Sequence, residues 1–162
     1  MRNEVFTTQI CSIARTLEVV GEWWTLLIVR EAVMGTRRFS DFAKRLGIAK
    51  NVLSERLNKL VETGILDRTE VRGRGNPRDY TLTERGRDLL PLLIALMQWG
   101  DRWVQGQEHV PVRVLERTSG KEIARLQVSG PTGAPLAVED IVIVPGPGAG
   151  EAIRRRFQPE PE

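Results

Sequence analysis

The side chains best suited to chemistry in this sequence are basic and amide groups gathered in one short stretch. Between Arg37 and Lys59 the chain carries seven basic residues and two acidic ones. Lysine and arginine neutralise phosphate oxygens, while amide, hydroxyl and guanidinium groups can form hydrogen bonds with base edges. This local surplus favours a polyanionic partner over solubility alone. The candidate contacts in the stretch are Arg37, Arg38, Ser40, Lys50, Asn51, Ser54, Arg56 and Lys59.

Two short helices are expected to position these groups. Residues 40–64 read as a helix, a tight turn at Gly47 and a second helix. Leu53, Leu57 and Leu60 recur at helical spacing, so the polar residues of the second helix should occupy its open side. This pattern predicts a helix-turn-helix with a recognition helix. For this stretch alone, the alternative is an ordinary solvated amphipathic helix.

A basic hairpin is predicted directly after the second helix. Apolar residues at 65–66 and 80–82 bracket a polar, glycine-containing turn, which is typical of two strands joined by a tip. Arg72, Arg74 and Arg78 cluster there. Coupled to the preceding helix, such a hairpin favours a wing that reaches phosphates or the minor groove. The alternative is a plain solvated tip.

Apolar periodicity predicts a helix over residues 11–20 and a core helix over 23–34. The second begins with two indole rings, which suit either the wall of a ligand pocket or packing in the core and between subunits. A helix over 84–104 should follow the hairpin, with a kink or a new start at Pro91. Its wide apolar face exceeds what a small core can cover, so we expect part of it to form a homodimer interface. The residues assigned to an interface or effector pocket are Trp23, Trp24, Leu96, Trp99 and Trp103.

Two hydroxyl residues are expected to begin helices. Ser40 suits the N-cap of a helix over 41–46, and Thr83 suits the N-cap of the last long helix. Both side chains can accept a hydrogen bond from a free backbone N–H of the first turn.

Composition divides the chain into three predicted parts. Residues 1–106, with seventeen basic against thirteen acidic side chains, form the winged helix-turn-helix and dimerisation domain. Residues 107–149 alternate or run β-branched, which predicts a small antiparallel β module. Residues 150–162 lack an ordering pattern and are predicted to form a disordered tail. The predicted fold class is α+β.

Several other classes are excluded or disfavoured. The 162-residue chain, 41% hydrophobic and 28% charged, is typical of a soluble globular protein. It has no apolar run of about 18–20 residues and no signal-peptide core, so we expect a cytoplasmic location. A single cysteine excludes an internal disulfide and a cysteine-based zinc site. No phosphate loop or His-carboxylate pair is recognisable, so neither enzymatic activity nor a cofactor is predicted.

Short sequence blocks that follow one another across residues 8–105 indicate a protein family more specifically. The blocks are Cys11, Leu17–Gly21, Trp24–Leu27, Arg37–Phe42, Val52–Leu57, Glu62–Gly64, Tyr80–Thr83, Gly86, Leu89–Pro91 and Trp99–Gly100. Together they resemble the HxlR-type winged helix-turn-helix transcriptional regulators of the MarR-like superfamily. The resemblance implies a homodimer, built through the first and last helices of the domain, that inserts two recognition helices into successive major grooves of a palindromic operator.

The leading hypothesis is therefore a DNA-binding regulator, a repressor whose operator affinity responds to a small molecule or an oxidant. The expected base-edge contacts are Lys50, Asn51, Ser54 and Arg56. The expected phosphate contacts are Arg37, Arg38, Lys59, Arg72, Arg74 and Arg78. The alternative is a winged-helix adaptor that binds proteins without reading DNA. The chain departs from the family pattern at Gly21-Glu22-Trp23, where relatives usually carry Gly-Gly-Lys, and at Ala49-Lys50-Asn51, where a Ser-Pro-Lys-like string is common.

The resemblance also bears on the single thiol. In redox-responsive members of this family the cysteine at the position of Cys11 is the sensor. Its place near a helix N-terminus would lower its pKa and raise the thiolate fraction. The alternative is a buried structural thiol without chemistry.

The C-terminal module resembles a zinc-ribbon-like segment of longer family members, which ends in a string similar to residues 145–149. Where that segment would place cysteines, this chain has Ser119, Ser129 and Thr132. Hydroxyl groups are poor zinc ligands, so we expect a module without metal, held by hydrophobic packing.

Overall fold

The computed structural model describes residues 11–71 and 78–157, which fall into two compact units. The larger unit spans residues 20–126. The smaller unit combines the described residues before Val20 with those from Gln127 onward. The domain boundaries drawn from composition, after residues 106 and 149, remain a prediction.

The elements follow the order expected of a winged helix. They are α1 Ser12–Val20, α2 Trp23–Val33, α3 Phe39–Leu46, α4 Lys50–Glu62, β1 Leu66–Glu70, β2 Arg78–Leu82, α5 Glu84–Arg87, α6 Leu90–Gly100 and α7 Glu151–Arg156. A π-helical turn, Asp101–Gln105, directly continues α6, and 3₁₀ turns lie at Gln107–His109 and Val138–Asp140. The predicted α+β class and winged helix are confirmed.

The core of the larger unit lies between α2, α3, α4 and the hairpin. Its fully buried side chains come from every one of these elements, and they are Ile28, Val29, Phe42, Leu53, Leu57, Leu60, Ile65 and Leu66. The ring of Phe42 meets that of Tyr80 edge to face, with centroids 6.4 Å apart. Strands β1 and β2 pair antiparallel, from Leu66 opposite Leu82 to Glu70 opposite Arg78. The core therefore fixes the back of the helix-turn-helix and the base of the wing.

Thr83 and Gly86 join the hairpin to the last helices. The Thr83 hydroxyl accepts from the N–H of Gly86 at 3.0 Å and donates to the carbonyl of Gly64 at 2.6 Å. A Cβ atom at Gly86 would lie 2.2 Å from the carbonyl oxygen of Ile65. The predicted cap at Thr83 is confirmed, and the close approach requires glycine at position 86.

The predicted helices agree with the structure in one detail and differ in another. The new helix start expected at Pro91 is confirmed, since α5 ends at Arg87 and α6 begins at Leu90, which places Pro91 in a new first turn. The difference concerns Ser40, which lies inside the first turn of α3 instead of capping it. Arg38 is the N-cap residue, and its carbonyl accepts from the N–H of Phe42 at 3.1 Å.

The C-terminal segment departs from the predicted β module. Among the described residues from 111 to 149, pairing is limited to two isolated bridges, Leu115 with Glu122 and Ser129 with Pro135, rather than a ladder of strands. The extended run 141–144 is exposed, and Val142 retains 81% of its accessible surface. In the predicted tail, the chain forms helix α7. Contrary to our expectation, hydrophobic packing does not cover the run 141–144 within the described residues.

Candidate nucleic-acid interface

A glycine turn joins helices α3 and α4. Gly47 ends α3 with a φ of 63°, and its N–H donates to the carbonyl of Ala43 at 3.0 Å. Glycine adopts this left-handed conformation without the steric cost that a Cβ atom brings. Ile48 is buried directly after the turn, and α4 begins at Lys50. The turn therefore anchors the start of the recognition helix in the core.

Helix α4 has one apolar and one polar side. Leu53, Leu57 and Leu60 are buried, whereas the polar residues between them face solvent. The exposed basic, amide and hydroxyl side chains are Lys50, Asn51, Ser54, Asn58 and Lys59. Amides and hydroxyls can pair with base edges, and the lysines can neutralise phosphates. Glu55 and Glu62 are exposed on the same helix, so the face carries mixed rather than uniform charge.

Arg56, which we expected to contact base edges, lies on the flank of this face and is half-buried. Its side chain keeps only 21% of its accessible surface, and its Nη2 atom lies 3.5 Å from a carboxylate oxygen of Glu22. The reason is helical geometry, since Arg56 lies three positions after Leu53 and four before Leu60 and therefore shares their flank. The other three residues that we expected to contact base edges do face solvent, and they are Lys50, Asn51 and Ser54.

The base of the wing is tied to the segment before α3. Arg38 forms an isolated antiparallel bridge with Asp79, and its Nε lies 2.7 Å from the Asp79 carboxylate. The N–H of Tyr80 donates to the carbonyl of Arg37 at 2.9 Å. Arg38 is therefore already paired within the chain, whereas the side chain of Arg37 is exposed.

The remaining predicted contacts divide by position. Arg78 begins β2 and is exposed, as is Ser40 in the first turn of α3. Arg72 and Arg74 lie outside the described residues. Among the described residues, the structure thus brings basic groups of the wing, α3 and α4 into one unit.

Sequence reasoning missed Arg68. This exposed residue of β1 donates from Nη1 to Oδ1 of Asn58 at 3.1 Å, so it links the wing to the recognition helix. No sequence pattern indicates that a helix residue and a strand residue ten positions apart will form a hydrogen bond. Lys44 and Arg45 were counted in the basic stretch but not assigned a role, and with Asp41 they line a surface cleft on α3.

A buried carboxylate connects α2 to α3. Glu31 retains 4% of its accessible surface. It accepts from Arg30 at 2.8 Å and from the Thr36 hydroxyl at 3.3 Å, and Nη1 of Arg45 lies 3.9 Å away. A buried charge needs such partners, since an unpaired one would be costly. Glu31 therefore helps to hold α3 and the preceding loop against α2.

Comparison with known proteins agrees with this geometry. The model of the HxlR-like helix-turn-helix family matches residues 19–108. The chain belongs to the HxlR-like family. It is 41% identical over 137 residues to Rv3095 of Mycobacterium tuberculosis, an uncharacterised HTH-type transcriptional regulator, covering 85% of this chain and 87% of that relative.

Solved structures extend the comparison. PA1607, a candidate transcription factor, aligns with a TM-score of 0.80 and 42% identity over 86% of this chain and 98% of its own. The redox regulator HypR, in its reduced form, aligns with a TM-score of 0.53 and 28% identity over 56% of this chain and 91% of its own. This HxlR-like chain is therefore a transcriptional regulator with a winged helix-turn-helix domain.

The HxlR-like chain also exposes a row of large apolar side chains. Those on α6 and its continuation include Leu92, Leu96, Trp99 and Trp103. Trp23, at the start of α2, retains 84% of its accessible surface, while Trp24 is half-buried. Arg102 stacks over the ring of Trp103 at 4.5 Å. Of the residues predicted for an interface or pocket, all but Trp24 are exposed in a single chain.

Cys11 of this HxlR-like chain is exposed directly before α1. Backbone N–H groups of Ala14 and Ile13 donate to the sulfur and lower the pKa of the thiol, and the charge of Arg156 acts in the same direction. Slight desolvation opposes them. This direction agrees with the expectation from the helix N-terminus, and the thiol is exposed rather than buried. A sensor role for Cys11 stays a prediction.

Within residues 11–71 and 78–157, no group of three or more His, Cys, Asp or Glu side chains is arranged to hold a metal ion. No helix in the same ranges is long and apolar enough to cross a membrane.

Proposed function

We propose that this protein is a sequence-specific, DNA-binding transcriptional repressor that acts as a homodimer. The observation that carries the proposal is the polar side of α4, where Lys50, Asn51, Ser54 and Lys59 all face solvent above a fully buried leucine stripe. Amide and hydroxyl groups on a helix that fits the major groove supply base readout, and the lysines supply phosphate contacts.

Flanking basic groups extend this face. Arg37, Ser40 and Arg78 are exposed around α4 and would position the DNA backbone, together with Arg72 and Arg74 of the wing. Arg38 would add to the local positive potential, although Asp79 holds its side chain. Because duplex DNA is the partner, the proposed compartment is the cytoplasm, and the proposal includes no enzymatic activity.

The homodimer is supported by the apolar face of α6. Leu92, Leu96 and Trp99 are exposed in a single chain, and contiguous apolar surface of this kind typically marks an interface. A second copy packed on this face would present two recognition helices about 34–36 Å apart, one turn of DNA, on a palindromic operator. Replacement of Leu96 by Glu should shift sedimentation from dimer to monomer, whereas Leu115→Glu, on an exposed residue of the C-terminal segment, should not.

Regulation is proposed through Cys11 or through a small molecule bound near the exposed indoles. The thiol combines accessibility with a lowered pKa, which favours reaction with oxidants. The similar protein HypR is a redox regulator. Oxidant should change the affinity of the wild-type protein for its duplex and leave that of Cys11→Ser unchanged. If both proteins respond equally, Cys11 is not the sensor.

Fluorescence anisotropy with a duplex selected by the wild-type protein from a random-sequence library tests the proposal. Asn51→Ala should weaken binding by about 1–3 kcal/mol and relax sequence preference, because a base-edge contact is lost. Lys59→Ala should weaken all duplexes similarly and reduce the salt slope by about 1. Lys121→Ala removes the same charge from the C-terminal segment and should change neither. An adaptor without DNA readout would instead show no salt-sensitive affinity for any duplex.

A further inference from the structure

The guanidinium group of Arg56 is held on the inner flank of the recognition helix. Nη2 lies 3.5 Å from Oε2 of Glu22, and Nη1 lies 3.7 Å from Oε1 of Glu55. Its Nε is buried and has no hydrogen-bond partner within the described residues. A charged donor left in this way is costly unless an opposite charge lies nearby. Glu55 supplies such a charge from the same helix, and Glu22 supplies one from the residue directly before α2.

The side chain of Glu22 is available to pair with Arg56 because it does not cap its own helix. It precedes α2 with an extended backbone, and its side chain makes no capping hydrogen bond there. Its backbone carbonyl accepts from the N–H of Thr25 at 2.9 Å, so the main chain at Glu22 is fixed by the first turn of α2. The carboxylate therefore starts from a rigid point, although its head is about half exposed.

Helix α2 is in this way linked by ion pairs to both helices of the helix-turn-helix. At its C-terminal end, buried Glu31 lies 3.9 Å from Arg45 of α3. At its N-terminal end, Glu22 lies 3.5 Å from Arg56 of α4. Between these ends, the buried leucine stripe of α4 forms an apolar contact. Hydrophobic burial is non-directional, so it opposes separation of the helices more specifically than it sets their rotation. An ion pair on one flank limits that rotation, because it fixes one direction around the helix.

We propose that Arg56 is a positioning residue, held by Glu22, which sets the rotation of the recognition helix on α2 and makes no contact with DNA. The inference rests on the proposed function, since rotation matters only if the exposed face of α4 reads a duplex. It also gives a role to Glu22, one of the positions where this chain departs from the family pattern.

The experiment compares Arg56→Gln, Glu22→Gln and the charge swap Glu22→Arg/Arg56→Glu with the wild-type protein. Affinities are measured by anisotropy over a range of salt for the selected duplex and for a scrambled duplex. Arg56→Gln and Glu22→Gln should each reduce the ratio of selected to scrambled affinity by about two- to fivefold, because an ion pair with one exposed partner contributes modestly. The double variant Glu22→Gln/Arg56→Gln should lose little more than either single variant, and the charge swap should restore part of the ratio.

The salt slope separates positioning from contact. Loss of a phosphate-binding arginine lowers the slope of log affinity against log salt by about 1, so Arg56→Gln should leave the slope unchanged. Lys59→Gln is the matched control and should lower the slope while keeping the ratio. Circular dichroism establishes that each variant is folded, and Arg56→Lys replaces Arg56→Gln if the latter is not.

Two results would overturn the inference. One is a lowered salt slope for Arg56→Gln together with tighter DNA binding by Glu22→Gln. Arg56 would then contact DNA, and Glu22 would compete with the DNA for it. The other is that the effects of Arg56→Gln and Glu22→Gln add fully in the double variant, both in the affinity ratio and in the free energy of urea unfolding. If the wild-type protein shows no salt-sensitive binding to any duplex, the proposed function fails first. In that case the free energies of urea unfolding of the wild-type protein, the two single variants and the double variant still decide whether Glu22 and Arg56 are coupled.

Discussion

The helix-turn-helix and the C-terminal segment contain similar apolar residues but use them differently. Leu53 and Leu57 of α4 lose essentially all of their accessible surface, whereas Val142 and Val144 keep most of theirs. A helix satisfies its backbone hydrogen bonds locally and needs only one apolar stripe to pack. An extended segment needs a partner strand for its backbone as well as cover for its side chains. Within the described residues, a single chain meets the requirement of helix α4 but not that of the extended run 141–144.

This difference teaches where the stability of the larger unit originates. The core elements from α2 to β2 interlock through buried leucines, the Thr83 joint and the close approach at Gly86. The run 141–144 offers no comparable packing. Substitutions in the first region should therefore be costly, and comparable substitutions in the second should be nearly neutral.

The largest contrast is expected between Leu57→Ala and Val142→Ala. Leu57 is fully buried, so its truncation should lower the free energy of unfolding by about 2–5 kcal/mol. Val142 is exposed, and its truncation should change that free energy by less than about 0.5 kcal/mol. Urea unfolding at protein concentrations below dimerisation measures both. A comparable loss for Val142→Ala would mean that the C-terminal segment has a packed partner.

A smaller contrast is expected between Gly86→Ala and Gly148→Ala. The new Cβ atom at position 86 would lie 2.2 Å from the Ile65 carbonyl oxygen and 2.9 Å from Leu82. Relief of this overlap requires backbone movement, so we expect a loss of about 1–3 kcal/mol in thermal or urea unfolding. At Gly148 the same atom meets nothing within 4 Å. Equal stability of the two variants would contradict the close approach at Gly86.

Next in size is the cap at Thr83. Thr83→Ala removes the acceptor for the Gly86 N–H and the donor to the Gly64 carbonyl. We expect a loss of about 0.5–2 kcal/mol in the free energy of unfolding. Thr132→Ala, at an exposed turn residue of the C-terminal segment, serves as the matched control and should stay within about 0.5 kcal/mol. The capping role would be refuted by a Thr83 variant as stable as its control.

The smallest effect concerns Cys11. Because the pKa of its thiol is lowered by the N–H groups of Ala14 and Ile13 and by Arg156, more thiolate should be present at neutral pH. The rate of alkylation by iodoacetamide should therefore rise with pH with a midpoint below the ordinary value of about 8.5. Unfolding in urea should return the midpoint to that value, and Arg156→Gln should raise it slightly. A folded-state midpoint at or above the unfolded one would contradict the assignment.

Local patterns in the sequence predicted much of the fold. Helical periodicity gave the recognition helix, and turn residues flanked by apolar runs gave the hairpin. The hydroxyl of Thr83 predicted the cap because its partner lies only three residues away. Pro91 likewise predicted the break between α5 and α6. Each of these features depends on hydrogen bonds or sterics within one helix, one turn or one hairpin.

Features that depend on distant contacts were not predictable in this way. Ser40 is not the cap because Arg38, bridged to Asp79 of β2, already starts the helix. Arg56 was expected to read bases, yet its partner Glu22 lies 34 positions earlier in the chain. The C-terminal segment has strand-like composition, but composition does not supply a partner strand.

Hydroxyl-radical footprinting of the selected duplex tests the central claim most directly. If two subunits each present an α4 helix, the wild-type protein should protect two patches centred about 10–10.5 base pairs apart, one turn of B-form DNA. Protection should weaken at both patches together as salt rises. A single protected patch would contradict the dimeric arrangement, and the absence of any protected patch at low salt would contradict DNA recognition by this face.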